Sequence, residues 1–184
     1  MCKPLTFVGF TFFVSILFVT CKQPIDFLPA ATQTGQNTLG FLIDGKPYIP
    51  QGSSSLYVRN PAVVGGLYGR SYKPDLYLHF YTYNSTDNNG SITVHLEDYK
   101  LGMNPVNNGD MYKGNLIGRK YYAYYGRDKQ YFYSSSSHPG WVNLTKVDPN
   151  SGVVAGTFEF VLADITGKTV SITAGRFDLN IRTQ

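Results

Sequence analysis

The side chains best equipped to hold a ligand in this 184-residue chain are its aromatics, among them 15 tyrosines and one tryptophan. Four tyrosines crowd into one run: Tyr121, Tyr122, Tyr124 and Tyr125. Successive side chains of a strand point to opposite faces, so Tyr122 and Tyr124 share one face and Tyr121 and Tyr125 the other. Only one of those faces can be core. The other presents rings with polar tips, suited to stacking on sugars or to contact with a protein. Trp141, in a nearby run, can join either set. Tyrosine also suits strands for packing alone, so an architectural reading competes with the binding one.

Other chemistries have less to work with. Pairing the run around Phe80 with the run around Val94, Phe80 opposite Val94, sets His79 opposite His95. Two imidazoles begin a zinc site, which usually takes three or four ligands. Glu97 and Tyr77 form the next pair on that face, and His138 stands apart in a serine-rich stretch. No metal is assigned. The chain has no G-x-S-x-G elbow, no H-E-x-x-H pair and no phosphate-cradling glycine loop, so no catalytic residue or cofactor is assigned either. Twelve carboxylates can still include a glycosidase pair, which is defined by separation in space. A hydrolase of envelope or dietary polymers is therefore the alternative to a non-catalytic binding module.

The N-terminus places these groups in a compartment. Lys3, an apolar run over residues 5–19, small Thr20 and then Cys21 have the order of a secretory signal. The run is shorter than the roughly 20 residues that cross a bilayer, and Thr6, Gly9, Thr11 and Ser15 interrupt it. The stretch Leu17-Phe18-Val19-Thr20-Cys21 resembles the lipobox of bacterial lipoproteins, with Phe18 and Thr20 departing from the commonest pattern. The resemblance implies cleavage after residue 20 and acylation of Cys21. It also implies a membrane partner through the acyl chains and a place in the cell envelope at the outer membrane, on a face left open. The other cysteine, Cys2, would leave with the signal, so the domain is held without a disulfide. The formal charge is +4, but basic residues are scattered in no block longer than two. A nucleic-acid partner is not expected.

The elements that position the candidate groups are strands. After the signal no apolar stripe of helical period persists, and short alternating runs bounded by Gly, Asn, Asp and Pro recur. Residues 22–38 read as a flexible tether. Asp44-Gly45 between two apolar runs marks a hairpin, and Pro47 and Pro50 assign its second arm to a sheet edge or to an early exit from the ladder. Residues 55–59 read as a weak strand, and 63–74 and 99–115 as loops. Residues 76–83 and 91–96 are the arms of a hairpin. Residues 119–125 and 130–133 form an aromatic hairpin, and 141–147, 153–162 and 169–177 a meander. The expected core includes Leu78, Phe80, Val94, Phe158, Phe160 and Ile172, with Val170, Ile172 and Ala174 on one face. The expected fold is all-β: residues 39–184 as one antiparallel β-sandwich of about eight to ten strands, or failing that a partly closed barrel.

Two segments carry a family resemblance. Leu28-Pro29-Ala30-Ala31-Thr32-Gln33-Thr34-Gly35-Gln36-Asn37-Thr38 stands at the start. Gly156-Thr157-Phe158-Glu159-Phe160, Gly167-Lys168-Thr169-Val170, Ile172-Thr173 and Gly175-Arg176-Phe177-Asp178 follow near the end. Together they resemble a family of bacteroidete lipoproteins of unknown function, which implies an exported, mainly β domain and supplies no catalytic residue or ligand. Arg176 and Asp178 read as scaffold, pairing with Glu159 or with each other.

Overall fold

A computed structural model describes residues 23–50, 53–54, 59–60, 63–70, 73–84, 87–107, 121–127 and 129–183. Cys21 lies outside them, as does most of the weak strand expected at 55–59. Strands β1 (Thr38–Ile43) and β2 (Lys46–Tyr48) flank the Asp44-Gly45 turn. Both turn residues have positive φ, 48° and 78°, the geometry whose twist matches a two-residue hairpin. Proline cannot donate to a ladder, and β2 with its Pro47 is indeed the edge strand beyond β1.

Strands β6 (Lys73–Asn84) and β7 (Asp87–Glu97) form the expected hairpin. Its register differs by two residues: Phe80 faces Ile92, Leu78 faces Val94, His79 faces Thr93 and Tyr77 faces His95. The arms run on through Asn84 and Asp87, so the connection is shorter than the polar stretch 84–90 suggests. A slip of two keeps every side chain on its face, which is why the core assignments survive it. Leu78, Phe80, Val94, Phe158, Phe160 and Ile172 are all at most 1% exposed.

Two segments read as loops are strands. Residues 63–74 contain β5 (Val63–Arg70), paired with β6. A Cβ at Gly65 would stand 3.1 Å from both Leu179 and Leu78 side chains, so a glycine that looks like loop punctuation is there for close approach. Residues 102–106 form β8 (Gly102–Val106), which pairs with β11 (Gly140–Asp148). Its inward residues Asn104 and Val106 are buried, and Asn104 ties the preceding turn by donating to the carbonyls of Lys100 (2.7 Å) and Gly102 (2.8 Å).

The remaining strands are β9 (Tyr121–Arg127), β10 (Gln130–Tyr133), β12 (Val153–Ala163) and β13 (Thr169–Asn180), with two-residue β3 (Ser53–Ser54) and β4 (Arg59–Asn60) paired apart. Counting the very short β2, β3 and β4, the described residues hold thirteen strands, above the eight to ten expected. All pairings are antiparallel, and the eleven strands other than β3 and β4 form one sheet ordered β2-β1-β13-β12-β10-β9-β7-β6-β5 with β11 and β8 branching from β12. Most of β12 pairs with β11, and its end meets β10 at Ala163 and Tyr133. The sheet therefore folds over along β12 into two facing layers and does not close into a barrel. Phe80 of β6 lies 5.6 Å from Phe158 of β12 and 6.0 Å from Phe177 of β13. These strands are not hydrogen-bonded neighbours, so the rings meet across the gap between layers. The architecture is all-β and sandwich-like.

A bulge in β13 sets which residues leave the core. Ala174 has φ 51° and the β12 register shifts between Phe158 and Phe160. Before it Val170 and Ile172 point inward; after it Gly175, Phe177 and Leu179 do. The extra residue reverses the alternation, so Ala174 does not share the face of Ile172. Arg176, Asp178 and Asn180 turn outward, where they meet the N-terminal segment.

The described part of the expected tether is pinned to the domain. Buried Asp178 accepts hydrogen bonds from Thr32 Oγ1 (2.6 Å), Thr34 N (3.0 Å) and Gly35 N (2.7 Å). Arg176 donates to the Pro29 carbonyl (3.2 Å), Lys146 to that of Gln33 (3.1 Å), and Asn180 N to Asn37 Oδ1 (2.8 Å). Leu28 is buried. Residues 28–37 thus form a strap along β13, and Arg176 and Asp178 serve it rather than each other. The polar, proline-bearing composition that suggests a linker is what a strap held by hydrogen bonds also requires.

Candidate functional site

Four strands of one layer, β6, β7, β9 and β10, turn a continuous row of rings outward. Within β9 the buried Ala123 and Tyr125 sit opposite core residues Val94 and Ile92, so Tyr122 and Tyr124 take the outer face. Tyr122 lies beside His95, with ring centroids 5.2 Å apart, and His95 beside Tyr77 at 6.4 Å. Tyr77 is parallel to His79 at 6.4 Å. In the other direction Tyr122 and Tyr124 are 6.5 Å apart, Tyr124 and Tyr133 6.0 Å, and Tyr133 and Tyr131 6.4 Å. Neighbouring strands lie about 4.8 Å apart, which brings the facing pairs Tyr77–His95, His95–Tyr122 and Tyr124–Tyr133 into contact; the other pairs are two residues apart on one strand.

Exposure divides the row. Tyr122, in the middle, is only 9% exposed, whereas Tyr131, at one end, is 51% exposed. A ring hemmed in by its neighbours cannot offer a face to a ligand; the end ring can. Beside it lies a depression of about 280 Å³ lined by Lys129, Gln130, Tyr131, Tyr133, Asp164 and Ile165. Ile165 is 89% exposed at the tip of the β12–β13 turn. That turn is built by Asp164, whose Oδ1 accepts from Thr166 N, Thr166 Oγ1 and Lys168 N (2.8, 2.7 and 3.0 Å). Those bonds, with Lys168 nearby, hold the Asp164 carboxyl below its usual pKa. Lys129 holds φ 65° in the β9–β10 turn, a left-handed conformation costly for any side chain with a Cβ.

Burial shifts three groups of the row, Tyr122, Tyr133 and His79. Tyr122 is pushed up to about 12, first by desolvation and then by the neighbouring Tyr77 and Tyr124 phenols. Tyr133 is raised by desolvation and by Tyr131 and Tyr124. Burial lowers His79, whose Nδ1 shares a 2.7 Å hydrogen bond with the buried Thr93 hydroxyl. Burial thus favours the uncharged forms of Tyr122, Tyr133 and His79.

The sequence candidates therefore separate. Tyr122 and Tyr124 belong to the outer row, while Tyr125 is core and Tyr121 packs against it. Trp141 sits on β11 between Pro105 and Glu159, strands that do not carry the row. His79 and His95 are diagonal neighbours, not opposite partners, and among the described residues no group of three or more His, Cys, Asp or Glu is placed to hold a metal. Asp75 and Glu97, directly opposite on β6 and β7, put two carboxylates on the outer face. Tyr131 and Tyr133 are reached only as outward tyrosines of the aromatic hairpin 119–133, and Gln130 and Ile165 go unnoticed in a search for crowded tyrosines. Their signal was the lone apolar Ile165 in a polar turn and the alternation of Tyr131 and Tyr133 about Phe132. No family model, curated protein or solved structure matches the chain.

Proposed function

We propose that this chain is an exported envelope protein, anchored by acylated Cys21, that binds a glycan without catalysis at the Tyr131–Tyr133 end of the ring row. The observation that carries the binding site is the half-exposed Tyr131 ring beside a depression edged by an amide, an ammonium and a carboxylate. A sugar presents apolar C–H faces ringed by hydroxyls, and this site pairs an aromatic surface with donors and acceptors at its rim. A protein partner would need on the order of 800 Å² of contact, more than one ring and one isoleucine supply. Kinship with bacteroidete lipoproteins belongs to the same proposal. It is supported by the way the two segments of that resemblance, residues 28–38 and 175–178, meet through Asp178.

Screening the mature protein on a glycan array and titrating the hits by calorimetry tests the reading. Tyr131→Ala is expected to weaken binding about tenfold, or about 1.4 kcal/mol, with the melting temperature unchanged. Equal affinity in a folded Tyr131→Ala/Tyr133→Ala variant would remove the site. A hydrolase has one observation in its favour, the facing Asp75 and Glu97. Turnover of a polysaccharide abolished by Glu97→Gln would move the protein to that class.

A further inference from the structure

We propose that the 3-10 turn η1 (Pro24–Phe27) and Ile49 form a second, non-covalent contact with the lipid bilayer, seating the domain directly on the membrane surface. The inference rests on the lipid-anchored reading of Cys21 and adds to it a surface and an orientation.

Three large apolar residues gather at the corner where η1 packs on β1 and β2: Ile25 (43% exposed), Phe27 (52%) and Ile49 (41%). Tyr131, Val161 and Ile165, also exposed, sit at or near the binding end of the ring row. The corner patch has no place in that site. Its occupant follows from chain length. Ile25 is four residues beyond Cys21, and an extended chain covers at most about 3.6 Å per residue. Whatever path the intervening residues take, the Ile25 backbone is therefore within about 14 Å of a cysteine whose acyl chains lie in the bilayer.

The strap turns this proximity into contact. With Leu28 buried and residues 29–37 hydrogen-bonded to β13, there is no long linker between lipid and domain to hold η1 away. The turn's one acid is folded back, Asp26 Oδ2 accepting from Gln23 N at 2.9 Å. Exposed Lys46 on neighbouring β2 supplies a cation at headgroup level. Apolar side chains beside a cation suit the boundary between headgroups and acyl chains.

A tryptophan reporter tests this in the acylated mature protein. Phe27→Trp in a Trp141→Phe background is reconstituted into phosphatidylethanolamine/phosphatidylglycerol vesicles with and without brominated acyl chains. Its emission should shift to the blue relative to the unacylated Cys21→Ala protein in solution, and brominated lipid should quench it at least twofold. Adding Ile25→Asp should remove most of that quenching while the protein stays vesicle-bound. Vesicle-bound protein with unshifted, unquenched emission overturns the contact and leaves the anchor standing. A concentration-dependent blue shift without vesicles assigns the patch to a second copy of the chain and also overturns it. Absence of fatty-acid label at Cys21 removes the anchor itself, a failure separate from either.

Discussion

Asp178→Asn is expected to release the strap and to cost the domain about 3 kcal/mol. The wild-type carboxylate is 1% exposed and surrounded by donors: Thr32 Oγ1 and Thr34 N on Oδ2, and Gly35 N on Oδ1. Each hydrogen bond to a charged group contributes about 1.5–3 kcal/mol net. The amide keeps one acceptor oxygen and aims an N–H₂ at donors, so one side of this arrangement is lost and its donors are left unpaired. At about 2–4 °C per kcal/mol for a domain of this size, the melting temperature should fall about 6–12 °C. The pH dependence has a definite sign. Burial pushes the Asp178 carboxyl up, but the bonds from Thr32, Thr34, Gly35 and Gln36 outweigh it and hold the group below its ordinary value. Its contribution is therefore complete above the unfolded pKa near 3.9 and is lost as pH falls through the lower folded value. Urea titrations at pH 7, 5 and 3, with hydrogen exchange at the Thr34 and Gly35 amides, read both effects. An unchanged midpoint at pH 7, or a Gly35 amide still fully protected in the variant, would refute the reasoning.

Gly175→Ala should destabilise by about 1–3 kcal/mol as an overpacked core site, because its Cβ would come 2.4 Å from the Phe158 ring. Adding Phe158→Leu should cost less than the two separate losses summed, a coupling that denaturant titration of the four proteins measures. Alkaline unfolding should report Tyr122. Burial penalises its phenolate and raises the group to about 12, so stability is undiminished below the unfolded value near 10 and is lost as pH rises from there through about 12. Tyr122→Phe should flatten the decline between those values, with stability below pH 9 little changed.

Where one local signal decided an element, the sequence reading held. Asp44-Gly45 placed a hairpin, prolines placed an edge, and alternation placed Phe80, Val94 and Phe158 in the core. It lost accuracy where a distant partner decided the matter. The glycine-rich run of β5 has the composition of a loop, and only the close approach of Leu179 and Leu78 to Gly65 accounts for a glycine there in a strand. The Phe80 register was off by two because alternation cannot distinguish slips of even number. The bulge at Ala174 reversed the face of every later residue, placing Asp178 under the strap. Likewise, crowding singled out Tyr122 and Tyr124, but which ring offers a surface depended on where β10 and the β12–β13 turn come together. The pairing that brings Ala163 to Tyr133 has no sequence signature.

The strap also dictates an order of events in folding. Its partner Asp178 lies 146 positions after Thr32, and β1 is hydrogen-bonded on one side to β13, the last strand. In a chain made from its N-terminus, the strap and β1 emerge long before the strand that holds them. Contacts so far apart in sequence are slow to close. Until β13 arrives, β12 is open along one edge, the first hairpin has no sheet to join and the strap has no carboxylate to hold it. Joining of the first hairpin to the sheet and fixing of the strap are therefore one step, completed only when β13 is delivered.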